Sequence, residues 1–326
     1  MRFTLAALVL VGGLTSGVFA QQRGAVPAQP APSGSAQELA ALGRKTLAEL
    51  RASTKPAEQI AGCDTPAAPE PSCAAAMMAI AGNTRVEIPL RLRAAAGAGT
   101  PGQQLFRDLA KQASTAELTK SVDAIGRMPA DLAVPALKRL LESASESERI
   151  AGARGLARFS TPESIESLRA AGSAASPGTA LWAAVTAARA RLGQTDALAT
   201  VGAAHQYLRG ADLLLAAEGL RAAGDQRGDA LAGQLARTGT GVEQMQGAAL
   251  VRDQMETIFR EVLAAGLRST DPAVAAEALK IARTTAQTQP ADPIPFLSSA
   301  DPIVRARAAE LVLERAAHQN RAGVPR

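Results

Sequence analysis

Residues 271–283, DPAVAAEALKIAR, and 301–315, DPIVRARAAELVLER, carry the reading of the whole chain. In each, aspartate and proline precede an alanine-rich run with helical periodicity. An aspartate at the N-cap accepts hydrogen bonds from the first turn's orphan N–H groups, and its charge suits the positive end of the helix dipole. Proline fits the first helical position because its φ is already fixed there. In the second stretch Ile303, Ala308, Leu311 and Val312 form one apolar stripe, while Arg305, Arg307 and Glu310 largely face away. Related phrases begin at Ser147 (SERIAGARGLARF), Ser176 (SPGTALWAAVTAARARLG), Asp212 (DLLLAAEGLRAAG) and Thr240 (TGVEQMQGAALVRDQM). The six starts are spaced by 29, 36, 28, 31 and 30 residues. A shorter amphipathic helix precedes each phrase, as in Phe259, Val262, Leu263 and Leu267. One helix pair per step of about 30 residues indicates an array, because a lone pair cannot bury its apolar face without neighbours.

Composition agrees with an all-α chain. Alanine, the best helix former, fills 75 of 326 positions, and aromatic residues only 2%. With 47% hydrophobic and 20% charged residues, the chain is not disordered along its length. The formal charge of +5 is spread thinly, with Arg and Glu alternating as in ESESER and RARAAELVLER. A nucleic-acid binder would cluster its cations on one face and supply stacking aromatics, so no nucleic-acid partner is expected.

Residues 1–20, MRFTLAALVLVGGLTSGVFA, have the layout of a secretory signal peptide: a positive start, an apolar run and small residues before Gln21. The apolar run is too short to span a bilayer, so no stable membrane span is expected after cleavage. Residues 21–35 read as a Pro- and Ser-rich disordered linker, and the protein is expected in the periplasm or outside the cell. Cys63 and Cys73 enclose a Pro-rich loop, and in an oxidising compartment their simple reading is one disulfide. A redox pair would show Cys-x-x-Cys spacing, and a metal site would need more ligands than their neighbours offer.

The string Asp301-Pro302-Ile303-Val304-Arg305, with Ala308, Ala309 and Leu311, resembles the core phrase of HEAT-like repeats. Asp271-Pro272-Ala273-Val274, with Ala276 and Leu279, is similar to it too. The resemblance spans residues 130–317, most clearly in the last two units, and implies an α-solenoid that binds partners. In that family an aspartate and an arginine form a ladder between neighbouring repeats; Arg305 matches that arginine, whereas Ala275 stands in its place in the other phrase. The family also takes in bilin lyases, which leaves catalysis open. The domain reading is therefore an N-terminal helical cap over 36–102, a repeat array over 103–318 and a flexible tail over 319–326. Within the cap, residues 85–93 alternate apolar and charged side chains and suggest a short edge strand.

Residues with chemistry are few. Gly97-Ala98-Gly99-Thr100-Pro101-Gly102 fits G-x-G-x-x-G, with Asp123 about 20 residues on. A dinucleotide-binding first strand would be continuously apolar, however, and this one carries Glu87, Arg91 and Arg93. His205, expected at a helix end or partly buried, and His318, expected in the exposed tail, have no second ligand at helical spacing, and no nucleophile elbow follows. Trp182 and Met77-Met78 read as core. The expected function is a protein–protein interaction scaffold, without metal or cofactor, that reads a protein or peptide through Arg154, Arg189, Arg221, Arg305 and Arg307. The alternatives are an enzyme using paired carboxylates in the groove, or an assembly factor of the cell envelope.

Overall fold

The computed structural model describes residues 35–65, 70–284 and 292–322. Among these, eighteen α-helices and three short 3-10 turns form, and no strand. The chain opens with α1 (Ala36–Ala52), α2 (Pro56–Cys63), α3 (Pro71–Gly82), α4 (Ile88–Gly97) and α5 (Gln103–Gln112). Three short to medium helices follow: α6 (Thr115–Lys120), α7 (Val122–Ile125) and α8 (Ala130–Leu141). Next come α9 (Glu146–Leu156), α10 (Pro162–Ala174), α11 (Ala180–Arg191), α12 (Thr195–Ala204) and α13 (Gly210–Ala222). The last five are α14 (Arg227–Thr238), α15 (Gly241–Leu250), α16 (Glu256–Gly266), α17 (Pro272–Thr284) and α18 (Pro302–Ala322).

Local chemistry explains where these helices begin. Ser35 caps α1 in a reciprocal capping box: its hydroxyl accepts from the Glu38 N–H while Glu38 accepts from the Ser35 N–H at 2.7 Å. Ser35 therefore belongs to the helix and not to the linker expected to end there. Asp271 accepts from the Ala273 N–H at 2.9 Å, and Asp301 from Ile303 and Val304 at 2.8 and 3.0 Å. Three other starts differ from expectation. Ser147 lies inside α9, whose N-cap is Ser145. Thr179 caps α11, and Ser176-Pro177 belong to the preceding turn, where Gly178 takes φ +85°. Asp212 lies inside α13, buried, because its carboxylate is used in an ion pair and not as a cap.

The strand expected over 85–93 is a turn followed by the first half of α4. Pro89 stands in the first helical turn, where its missing N–H is no loss, and Leu92 points fully into the core. The period-two pattern was coincidental, since no neighbouring strand exists among the described residues to pair with it. Residues 319–322, expected in the tail, continue α18. The signal peptide expected over 1–20, residues 21–34 of the expected linker and residues 323–326 of the expected tail lie outside the described residues.

Helices α9, α11, α13, α15 and α17, which contain the recurring phrases, pack one against the next, and α18 follows α17. Their close approach depends on small residues. In α11, Ala183, Ala184, Ala187, Ala188 and Ala190 are all fully buried. A Cβ on Gly219 of α13 would stand 2.3 Å from the Ala190 carbonyl oxygen, so only glycine allows α13 to seat there. One apolar cluster runs from Ile60 to Ala188, across the boundary expected at 102/103, and a second from Ala183 to Leu311.

The array does not end freely at α18. That helix lies along α1 and also touches α2. Leu47, Leu50 and Ala61 bury against Ala306 and Ala309, and Leu39 buries against Val312 and Ala316. Gly43 permits the contact: a Cβ there would sit 2.9 Å from the Leu313 side chain and 3.0 Å from the Ala309 oxygen. The circuit of helix contacts thus returns to its start.

Candidate functional site

The phrase helices face a common cavity of about 760 Å³. Its apolar lining comes from half-buried Leu214, Leu215 and Leu250, with Ala151, Ala211 and Ala249 between them. α9 contributes Arg154 and the turn after it Arg158, α11 contributes Arg191, α13 contributes Glu218, and α17 contributes Glu277 and Lys280. Lys120 and Asp123 close the side formed by α6 and α7.

Ion pairs stitch this lining together. Arg154 makes a bidentate pair with Asp212, Nε to Oδ1 at 2.8 Å and Nη2 to Oδ2 at 2.9 Å, reaching from α9 past α11 to α13. Asp212 hydrogen bonding, opposed by burial, raises the Arg154 guanidinium above its ordinary value, and Glu243 of α15 adds to the rise. Arg158 bonds Asp123 at 2.6 Å, and Arg191 bonds Glu218 at 2.5 Å. Glu277 accepts from Gln246 at 3.2 Å and from Lys280 at 3.0 Å. Each lining carboxylate therefore has a cation beside it, and the Arg191–Glu218 pair joins α11 to α13.

The five arginines read from the sequence do not share this lining. Arg154 does. Arg189 pairs with Asp196 at the start of α12, and Arg221 with Asp229 of α14. Arg305 reaches Glu58 of α2 at 3.2 Å, and Arg307 bonds Glu310 on its own helix at 2.7 Å. Arg158, Arg191, Lys120 and Lys280 were missed. Arg158 stands one turn beyond Arg154 and shares its face, a spacing legible in the sequence. Arg191 is two residues from Arg189, about 200° around the helix, so choosing Arg189 picked the other side.

The remaining candidates sit elsewhere. The Cys63 and Cys73 sulfurs lie at bonding distance, with Cα atoms 5.3 Å apart, joining the end of α2 to α3. The glycine motif follows a helix and not a strand. Gly99 takes φ +66°, and a Cβ on Gly102 would stand 2.0 Å from the Ala95 oxygen, so these glycines serve a tight helix–helix turn. His205 is exposed after α12 and touches Gln234 at 2.9 Å, and His318 is exposed on α18. Trp182 is half-buried against the exposed Tyr207, edge to face at 6.1 Å. Met77 is core, and Met78 packs beside it. Among the described residues no three of His, Cys, Asp and Glu gather as metal ligands, and no helix is long and apolar enough to cross a membrane. Comparison with protein-family models, curated proteins and solved structures finds no match.

Proposed function

We propose that this chain is an exported α-solenoid of HEAT-like helix pairs whose cavity holds a segment of a protein or peptide partner. One observation carries the reading: α9, α13 and α15 turn partly buried leucines and alanines toward one cavity of about 760 Å³, bordered by charges already held in pairs, with α11 and α17 adding charged side chains. Apolar area open in a concave, prearranged surface suits an extended side-chain-bearing ligand. Carboxylates committed to Arg158, Arg191 and Lys280 favour a recognition surface over a general acid–base pair, which needs carboxylates in reach of a substrate and poised in charge. Export rests on residues 1–20, with the Cys63–Cys73 pair in support.

The test is co-purification from the native cell envelope with Leu215→Trp, which fills the cavity, beside Arg260→Gln, which alters the exposed side of α16. A stoichiometric partner retained by Arg260→Gln and lost by Leu215→Trp is expected. A partner held equally by both variants would overturn the assignment of the cavity.

A further inference from the structure

The cavity lined by the phrase helices has a charge character of its own. Four elements bring a cation to its lining: α6 gives Lys120, the turn after α9 gives Arg158, α11 gives Arg191 and α17 gives Lys280. Arg154 of α9 lines it too, whereas its partner Asp212 is buried in α13. Most of the paired carboxylates are set back from their cations. The Lys280 side chain is 51% exposed and that of Glu277 13%. Arg191 is likewise more open than Glu218, and of these pairs only Arg158–Asp123 has the carboxylate further out. A ligand entering the cavity therefore meets cations before most of the carboxylates.

The pairing also leaves hydrogen-bond donors over. A guanidinium carries five N–H groups, and one carboxylate takes up only part of them. Arg191 gives Nε to Glu218 at 2.5 Å, and Arg158 gives Nη2 to Asp123 at 2.6 Å, so each fork keeps other N–H groups for a second acceptor. The Lys120 side chain is exposed and has no hydrogen-bond or ion-pair partner among the described residues. Glu117, one turn earlier on α6, gives its carboxylate to the Ser114 N–H and hydroxyl instead, both at 2.8 Å. The same lining holds the half-buried Leu214, Leu215 and Leu250, so donors and apolar area open into one space.

We infer that the segment taken up by this cavity is acidic as well as apolar: a stretch of a protein partner in which aspartate or glutamate alternates with leucine-like side chains. This rests on the reading of the cavity as a peptide site and names the chemistry that the site selects. The leucines of α13 and α15 cover the apolar side chains of the segment. Its carboxylates reach Lys120, Lys280 and the remaining N–H groups of Arg158 and Arg191, as charge-assisted hydrogen bonds. A basic segment would set like charges against these cations, so the lining rejects one class of partner as well as attracting another. A lone small anion would leave most of a cavity of about 760 Å³ and its leucines uncovered.

Selection of a displayed random-peptide library on the oxidised protein tests this, with Leu215→Trp as the counter-screen that fills the cavity. Peptides held by the wild type and released by Leu215→Trp are expected to be rich in Asp and Glu together with Leu-class residues. Their affinity, read by fluorescence anisotropy, should fall as sodium chloride rises from about 0.05 to about 0.5 M. Lys120→Glu with Lys280→Glu, two exposed positions in the lining, should weaken binding by about tenfold or more. Lys45→Glu with Arg260→Glu makes the same change in net charge at exposed positions outside the lining and should bind as the wild type does. Cavity-dependent peptides that are neutral or basic, or acidic ones that both double variants weaken equally or not at all, would overturn this inference and leave the peptide reading standing. A selection that yields no peptide dependent on Leu215 would overturn both.

Discussion

Removing either partner of the Arg154–Asp212 pair should destabilise the fold, and by unequal amounts. The Asp212 side chain is 9% exposed, and that of Arg154 40%. Arg154→Ala leaves a carboxylate almost out of water. Breaking a buried pair in this way costs about 3–5 kcal/mol. Asp212 stands in the first turn of α13, where the helix dipole returns up to about 1 kcal/mol to a negative charge, so about 2–4 kcal/mol is expected. Asp212→Ala instead leaves a guanidinium with a large share of its surface in water. Solvent screening brings the loss down to about 1–2 kcal/mol. The double variant removes both charges and should cost clearly less than the sum, with a coupling of about 1–2 kcal/mol. The assay is urea unfolding of the four proteins by far-UV circular dichroism, comparing midpoints at equal slope. If Asp212→Ala proves the more damaging, or if the single losses add without coupling, the two groups do not act as a pair joining α9 to α13.

Three further perturbations test other parts of the fold. Replacing Cys63 and Cys73 by serine frees a loop of ten residues' separation and should cost about 2.8 kcal/mol in the chain-entropy model, read as a lower urea midpoint matched by the reduced wild type. Gly219→Ala forces a Cβ to within 2.3 Å of the Ala190 oxygen and should cost about 1–3 kcal/mol, whereas Gly82→Ala meets nothing within 4 Å and should gain up to about 1 kcal/mol; equal thermal shifts would contradict this packing. Hydrogen bonds from Ser35 hold Glu38 below its usual carboxylate range, and those from Ser114 do the same for Glu117. A carboxylate whose folded value is depressed stabilises the fold above its unfolded value, here 4.5, and loses that contribution as pH falls through the folded value. Thermal midpoints should therefore drop on acidification below about pH 4.5, and less steeply in Ser35→Ala, where Glu38 has lost its cap.

The helical class and the paired cysteines were legible because they rest on local chemistry. The Asp271 and Asp301 caps involve side chains and N–H groups two or three residues apart, and Cys63 and Cys73 are separated by only ten. Capping logic failed where a residue had a stronger long-range partner. Asp212 resembles a cap from its neighbours alone, yet Arg154, 58 residues earlier, draws it into the core. Ser176 was displaced because Thr179, three residues on, already satisfies the Trp182 N–H. The site was less legible, since the positive residues of an alanine-rich helix are marked by face, and a single misplaced residue reverses it, as with Arg189 and Arg191. The seam between α18 and the N-terminal helices was not legible at all: it joins Leu47 and Leu50 to Ala306 and Ala309, and no local pattern announces which helix completes another so far along the chain.

That seam also gives the alanine content a physical consequence. Each alanine buries little area, so a helix pair built from them gains little on its own, and the fold must draw on the number of interfaces. An open array of such pairs would leave an apolar face uncovered at each end, which repeat proteins ordinarily cover with a polar capping unit. Here α18 is instead covered by the N-terminal helices: Val312 and Ala316 are buried against Leu39, and Ala306 and Ala309 against Leu47 and Leu50. α1 is the cap of α18 and α18 the cap of α1, so one interface covers two ends. The charges follow the same logic. Arg305 crosses from α18 to Glu58 of α2, just as Arg191 crosses from α11 to Glu218 and Arg158, in the turn after α9, to Asp123, so polar bridges between neighbouring helices continue where α18 meets α2.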